Sequence, residues 1–248
     1  MRRAAKAFLE RFAPTVLYWY RERRARGDFT APETALSNRE VFEDIYRNRR
    51  WGGEGTSPYS GYGSDDEVTE PFIQFVRQYL RANGIRTVVD LGCGDFRVGA
   101  KISEKVEGYT GVDVAPTVVR RNQHQFGGDR VKFVTLDITE DALPDGDLYI
   151  VRQVLQHLSN EGIGKALDQL RERPERPHVI IAEHHPAPGR FQSFNIDKAA
   201  GYHTRVAKGS GVYPDQLPFC FPATLRTSMP LPPLIAPGET LAVYVKEP

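Results

Sequence analysis

Residues Thr87-Val88-Val89-Asp90-Leu91-Gly92-Cys93-Gly94-Asp95-Phe96-Arg97-Val98-Gly99 run an apolar strand straight into a glycine turn and then a helix. Gly92 and Gly94 carry no Cβ, so the backbone can turn tightly there and a ligand can approach it closely. The helix that follows presents free N–H groups to the same point. A turn of this kind suits a nucleoside-like cofactor. By itself it also fits a dinucleotide enzyme or an ordinary strand-to-helix connection.

The sequel narrows the choice. Tyr109-Thr110-Gly111-Val112-Asp113-Val114 reads as a second strand ending in an acid, placed by a βαβ unit beside the glycine turn at a distance suited to ribose hydroxyls. Val131 to Ile138 is a third strand, again ending in an acid at Asp137. A fourth, Asp147 to Val151, runs into Arg152-Gln153-Val154-Leu155-Gln156-His157-Leu158. Four strands therefore bring polar residues to one edge.

Taken in order, Asp90-Leu91-Gly92-Cys93-Gly94, Gly111-Val112-Asp113, Leu136-Asp137-Ile138 and Val154-Leu155-Gln156-His157-Leu158 resemble the motifs of the class I S-adenosylmethionine-dependent methyltransferases, over most of residues 86 to 184. The resemblance implies an α/β fold, a Rossmann-like sheet with helices on both faces, and S-adenosylmethionine as cofactor. It implies that Gly92 and Gly94 lie against the methionine part, that Asp113 holds the ribose, and that Asp137 with the Ile138 amide reads adenine. Asp90, Cys93, Val114 and Gln153 complete the expected cofactor set. Phe96 stands where many members carry a third glycine. Ser60-Gly61-Tyr62-Gly63-Ser64 matches a Ser-Gly-x-Gly-Ser stretch that related enzymes often carry ahead of the core.

A chain of 248 residues can bury one sizeable core. The expected division is an N-terminal helical extension with a glycine- and aromatic-rich lid over 1–65, and a methyltransferase domain over 66–248 with a substrate-side insertion at 184–218. Thirty-three basic against 32 acidic residues give a formal charge of +1, so no global field draws the chain to nucleic acid. Two cysteines, Cys93 and Cys220, are too few for a disulfide framework and fit a reducing cytoplasm. The apolar run within 1–26 is too short to span a bilayer and lacks a cleavage-site pattern. Its basic, aromatic character fits weak contact with a membrane surface, or a helix packed on the catalytic domain.

Residues 38–50 predict a helix capped at Ser37 or Asn38, with Val41, Phe42, Ile45 and Tyr46 on one side. Trp51 to Ser64 follows, read either as a lid that closes on ligands or as a surface loop. Pro71 to Asn83 and Asn160 to Arg173 predict further helices, His178 to Glu183 a fifth strand, and Thr224 to Met229 with Glu239 to Lys246 a closing antiparallel pair.

Methyl transfer to a hydroxyl requires a held geometry, exclusion of water and a proton acceptor. Glu183-His184-His185, leaving the fifth strand at the ligand edge, supplies the expected catalytic set: a base at His184 or His185, with Glu183 orienting it. Tyr59, Gln153, His157, Asn195, Asp197 and Arg205 form the expected acceptor-binding set, although Val154, Leu155 and Leu158 around His157 favour a capping or packed side chain there. Glu183, His184, His185 and Asp197 are competent metal ligands, but their spacing matches no metal motif, and no metal site is predicted. The expected reaction is O-methylation of a sugar, glycan or secondary metabolite. The alternatives are a nicotinamide-dependent oxidoreductase and a non-catalytic cofactor-binding module; against the first, Arg97 occupies the third position of Gly-x-Gly-x-x-Gly.

Overall fold

The computed structural model describes residues 36–52, 58–233 and 236–248. The expected features of residues 1–35, and the 53–57 part of the expected lid, lie outside the described residues. Helix α1 (Asn38–Arg47) begins with the capping box the sequence predicts: Ser37 accepts from the Glu40 amide, and the Glu40 side chain reaches back to the Ser37 backbone. It ends three residues earlier than expected, at Arg47, because Arg49 turns to a positive φ of 49°.

Helix α2 (Asp66–Asn83) starts five residues ahead of the expected Pro71. The proline sits near enough to the start to lose only one helical hydrogen bond, and Asp66 and Glu67 favour the positive end of the helix dipole. Gly84, at φ 61°, terminates it in the left-handed region that glycine enters without penalty.

The chain then alternates β1 (Thr87–Leu91), α3 (Arg97–Ser103), β2 (Gly108–Asp113), α4 (Pro116–Phe126), β3 (Val131–Thr135), β4 (Leu148–Arg152), α5 (Asn160–Arg171) and β5 (His178–His185). It closes with β6 (Thr224–Pro230) and β7 (Thr240–Lys246). Seven strands form one sheet in the order β3-β2-β1-β4-β5-β7-β6. The first five are parallel, and β7 runs antiparallel between β5 and β6.

The central strands are apolar on both sides because helices cover both faces. Val89, Leu91, Val151 and Ile181 pack with α1 and α5, whereas Val88, Ile150, Ile180 and Ala182 pack with α2. The reversal of strand order between β1 and β4 opens a crevice at the carboxyl ends of the parallel strands, the usual ligand position in such a sheet.

Candidate active site

Gly92 (φ 82°) and Gly94 (φ 54°) both occupy the left-handed region, and neither has room for a side chain. A Cβ on Gly92 would lie 2.2 Å from the Val154 side chain, and one on Gly94 2.4 Å from Ser60 Oγ. Phe96 also adopts a positive φ, 68°, where glycine would be unstrained. Its ring is buried against Tyr109, Phe133 and Phe126, and this packing offsets a backbone cost of about 1 kcal/mol or more.

A cavity of about 290 Å³ runs along the ends of the parallel strands, lined in turn by Leu136, Asp137 and Ile138 beyond β3, Asp113 and Val114 at β2, Asp90 and Gly92 to Asp95 at β1, Arg152 to Val154 at β4, and His184 at β5. All nine residues of the expected cofactor set line it. Asp113 accepts hydrogen bonds from the Gly94 and Ala115 amides, each at 3.0 Å, and burial pushes its carboxyl up to about 6. Asp90 accepts from the Tyr109 hydroxyl and is likewise pushed up to about 6 by burial. Asp137 is held by the Thr139 amide and hydroxyl and by the Asn38 side chain of α1.

The stretch 58–64 closes over the glycine turn. Ser60 donates its amide to Asp95 Oδ2 at 3.0 Å, the Asp95 amide returns a bond to Ser60 Oγ at 2.7 Å, and Ser64 Oγ donates to the same carboxylate. Tyr46 Oη lies 3.0 Å from Ser60 Oγ, tying α1 to the closure. Gly63 lies directly against the Gln153 amide, so that a Cβ there would fall 1.8 Å from Gln153 Oε1 and the Gln153 side chain would have to move. Tyr59, expected to bind substrate, instead donates to Asp65 and lies under Arg97, away from the cavity lining.

The expected Glu183-His184-His185 cluster does not converge, and the reason is the strand period. Strand β5 extends through His185 rather than ending at Glu183, paired with Leu241 and Thr240 of β7. Successive side chains of a strand leave on opposite faces, so His184 points one way and Glu183 and His185 the other. Only His184 lines the cavity. Its Nε2 lies 2.8 Å from Glu239 Oε2, an ion-pair distance without hydrogen-bond alignment.

Glu183 is fully buried and accepts the Val154, Leu155 and Gln156 amides at 3.1, 2.9 and 3.2 Å. It fixes the short 3₁₀ turn Leu155–His157 and takes no place in the cavity wall. Burial nevertheless pushes its carboxyl up to about 8. His185 contacts the Val212 carbonyl at 2.9 Å and stacks on Tyr213 at 3.9 Å between ring centres; burial lowers it to about 4, so it is neutral.

Three residues expected to bind acceptor are internal struts. Arg205 is fully buried and donates to the carbonyls of Ile196, Leu155 and Leu158 and to Asn160 Oδ1. Asn195 bonds the backbone of Tyr213 and Leu217, and Asp197 accepts the Asn160 amide at the start of α5. The 184–218 segment, expected as a substrate-side insertion, is stitched to the sheet end by these contacts, and it lends Tyr202 and Thr204 to the cavity. His157 does line the cavity, but its Nδ1 faces the Gly201 carbonyl and burial lowers it to about 3, so it acts as a neutral packed ring against Phe42 and Trp51.

Among the cavity-lining residues that sequence reasoning missed are Arg152 and Gln156. Both line the cavity, and Arg152 Nε, Gln156 Oε1 and the Tyr62 hydroxyl are buried with no hydrogen-bond partner among the described residues. An arginine closing an apolar strand was the available signal. Among the described residues no group of three or more His, Cys, Asp or Glu side chains is arranged to hold a metal, and no helix is long and apolar enough to cross a membrane.

Residues 88–173 match the methyltransferase domain family. The fold is that of the class I methyltransferases. Among curated proteins, an uncharacterized methyltransferase of Mycobacterium bovis is 29% identical over 79 residues, 31% of this chain and 40% of that protein. A 23S rRNA (uracil(747)-C(5))-methyltransferase of Edwardsiella ictaluri is 22% identical over 160 residues, 63% of this chain and 41% of that protein. The chain thus spans about two fifths of the length of these curated relatives. The N-methyltransferase NodS of Bradyrhizobium japonicum, solved with S-adenosyl-L-homocysteine, superposes with a TM-score of 0.54 at 16% identity, covering 82% of this chain and 98% of NodS. Magnesium protoporphyrin IX methyltransferase of Synechocystis, solved with the same ligand, gives 0.54 at 16% identity, covering 85% of this chain and all of that one. An antiparallel β7 inserted beside β5 also departs from the 3-2-1-4-5-6 order of dinucleotide-binding sheets, against the nicotinamide alternative.

Proposed function

We propose that this chain is an S-adenosylmethionine-dependent methyltransferase that methylates a small polar acceptor at oxygen, such as a sugar, glycan or secondary-metabolite hydroxyl. The observation that carries the reading is the ordered row of groups along one cavity: the glycine turn that excludes any Cβ, the acids Asp90, Asp113 and Asp137, and the buried polar atoms that lack a partner. These residues fit a nucleoside joined to an amino acid. Asp137 and the Ile138 amide would meet adenine, with Val114 and Leu136 as apolar walls. Asp113 would accept from the ribose, its other bonds already fixed by Gly94 and Ala115. Gly92, Cys93, Gly94, Asp90 and Gln153 would surround the methionine part.

When bound, the cofactor supplies an activated methyl on a sulfonium. The chain positions, encloses and deprotonates. The 58–64 stretch covers the turn and excludes water, as a lid would. His184 is the cavity-lining histidine that can take a hydroxyl proton, with Glu239 beside it to favour the resulting imidazolium. Calorimetric titration with S-adenosyl-L-homocysteine, followed by mass-shift profiling of a cell extract supplied with labelled cofactor, tests both halves. Absence of binding by the folded protein would refute the cofactor assignment, and label appearing only on nitrogen would refute the oxygen acceptor.

A further inference from the structure

Resting on the methyl-transfer reading above, we infer that the acceptor carries its hydroxyl on a flat aromatic ring, and that Tyr46, Trp51 and His157 wall the compartment that takes it. All three side chains line the cavity. The Trp51 ring centre lies 5.2 Å from that of Tyr46, edge to face, and 5.3 Å from that of His157. This wall stands away from the adenine end. Helix α1 is ten residues and about 15 Å long; Asn38 in its first turn bonds Asp137, Tyr46 in its last turn bonds Ser60 over the glycine turn, and Trp51 lies beyond. On its far side the indole meets the 184–218 segment, where the Tyr202 carbonyl accepts from Trp51 Nε1 at 3.3 Å.

The polar atoms of these three rings are already engaged. Trp51 Nε1 donates to Tyr202, and the Tyr46 hydroxyl is bonded to Ser60 Oγ. Burial lowers His157 to about 3, so its ring is neutral. A carbonyl only accepts, so Nδ1, 3.1 Å from the Gly201 carbonyl, carries the proton, and Nε2 accepts from Gln156 Nε2 at 3.4 Å. Of these groups only Gln156 Oε1 is left without a partner among the described residues. The wall therefore offers ring surface and at most one acceptor. A sugar would bring several hydroxyls to it, and each one buried without a partner weakens binding roughly tenfold or more. An aromatic ring brings only the hydroxyl that reacts, and it packs offset or edge-on against such neighbours. A phenol, with a pKa of about 10, also yields its proton to a histidine such as His184, in the same cavity, far more readily than an alkyl alcohol does.

Calorimetry separates the two acceptor classes. Protein saturated with S-adenosyl-L-homocysteine is titrated with 2-naphthol and, separately, with methyl β-D-glucopyranoside, using the wild type, Trp51→Leu and Trp51→Phe, with circular dichroism as the folding control. Leucine keeps apolar bulk and removes the ring, whereas phenylalanine keeps a smaller ring. The wild type should bind one equivalent of 2-naphthol at least tenfold more tightly than the glucoside. Trp51→Leu should weaken 2-naphthol roughly three- to tenfold and Trp51→Phe about two- to threefold, with the affinity for S-adenosyl-L-homocysteine the same in all three proteins.

The aromatic compartment is overturned if 2-naphthol does not bind, if the glucoside binds as tightly, or if Trp51→Leu leaves 2-naphthol affinity unchanged. A loss no larger for 2-naphthol than for S-adenosyl-L-homocysteine overturns it too, because the indole would then serve the cofactor or the fold. Should Trp51→Leu not fold, Trp51→Phe decides, and unchanged 2-naphthol affinity in that variant refutes the wall. Failure of the methyl-transfer reading shows separately. If the wild type does not bind S-adenosyl-L-homocysteine, that reading falls, and the same pair of titrations on the ligand-free protein decides the compartment by the same criteria.

Discussion

Replacing Glu183 separates a structural carboxylate from a catalytic one. The side chain is fully buried, collects three backbone amides at 2.9 to 3.2 Å, and has its carboxyl pushed up to about 8 from an ordinary 4.5 by burial. A group whose folded pKa is raised favours folding most while protonated in both states, below the unfolded value. That contribution falls as pH rises through the folded value. The window is therefore pH 4.5 to 8, and the native state loses about 1.4 kcal/mol per pH unit across it, about 5 kcal/mol at most.

Glu183→Gln removes the charge. Its amide oxygen can still accept from Val154 and Leu155, while its NH₂ group faces the Gln156 amide, donor to donor. The variant should start less stable than the wild type at pH 5, by about 1–3 kcal/mol for that lost bond, and should gain on it steadily toward pH 8. Glu183→Ala abandons all three amides and should cost about 3 kcal/mol or more. Urea unfolding at half-unit pH intervals measures the difference directly, and taking a difference cancels the other buried groups. A stability difference between Glu183→Gln and the wild type that stays flat from pH 5 to 8 would refute the argument, as would a variant of unchanged stability that has lost only turnover.

Asp113→Ala should weaken S-adenosyl-L-homocysteine binding at least tenfold by calorimetry, because an ionised acceptor for ribose disappears. With its carboxyl near 6, wild-type affinity should be full above that pH and decline below it as the acid protonates, a decline absent in Asp113→Asn. His184→Gln should slow transfer by roughly 10²–10⁴-fold with cofactor binding intact, whereas His185→Gln should lower the unfolding midpoint and leave the rate nearly alone. Gly94→Ala should lower cofactor affinity and speed hydrogen exchange at residues 58–64, since its methyl would displace Ser60; unchanged exchange would detach that stretch from the turn.

Where a signal was periodic or ordered, it could be read from the sequence. The alternation of strands and helices, the capping box at Ser37, the glycine turn and the acids at the ends of β2 and β3 are each specified by neighbouring residues, and each stands where the pattern puts it. The three residues of the expected catalytic cluster do not converge, because adjacency in a chain is not adjacency in space, and His184 is the one of them that lines the cavity. Had β5 ended at Glu183, the next two histidines would have been free to turn inward; pairing with β7 extended it by two residues and imposed alternation. That pairing involves partners some sixty residues away, and no local property of Glu-His-His announces it. Arg205 and Asn195 misled for a related reason. Polar side chains in a proline- and glycine-rich segment resemble ligand contacts, yet a segment with few apolar residues has to be held by hydrogen bonds, and those side chains supply them.

Two residues on the cavity side show how local rules yield to the site. Phe96 and Gln153 hold positive φ values of 68° and 54°, a region that ordinary side chains enter at a cost of about 1–3 kcal/mol. Neither position carries the glycine that would remove the cost, and each is held by something else. The Phe96 ring gains an aromatic cluster beneath the glycine turn, so substituting glycine would relieve the backbone and empty the packing. Gln153 is held by its amide on the Ala182 carbonyl, and its strained turn swings the side chain off the line of β4 toward Gly63. The two strained residues flank the switch point beyond β1 and β4, the paired neighbours at which the strand order reverses. At both positions the distortion falls where the backbone leaves the sheet, and the buried strands on either side supply the rigidity that maintains it.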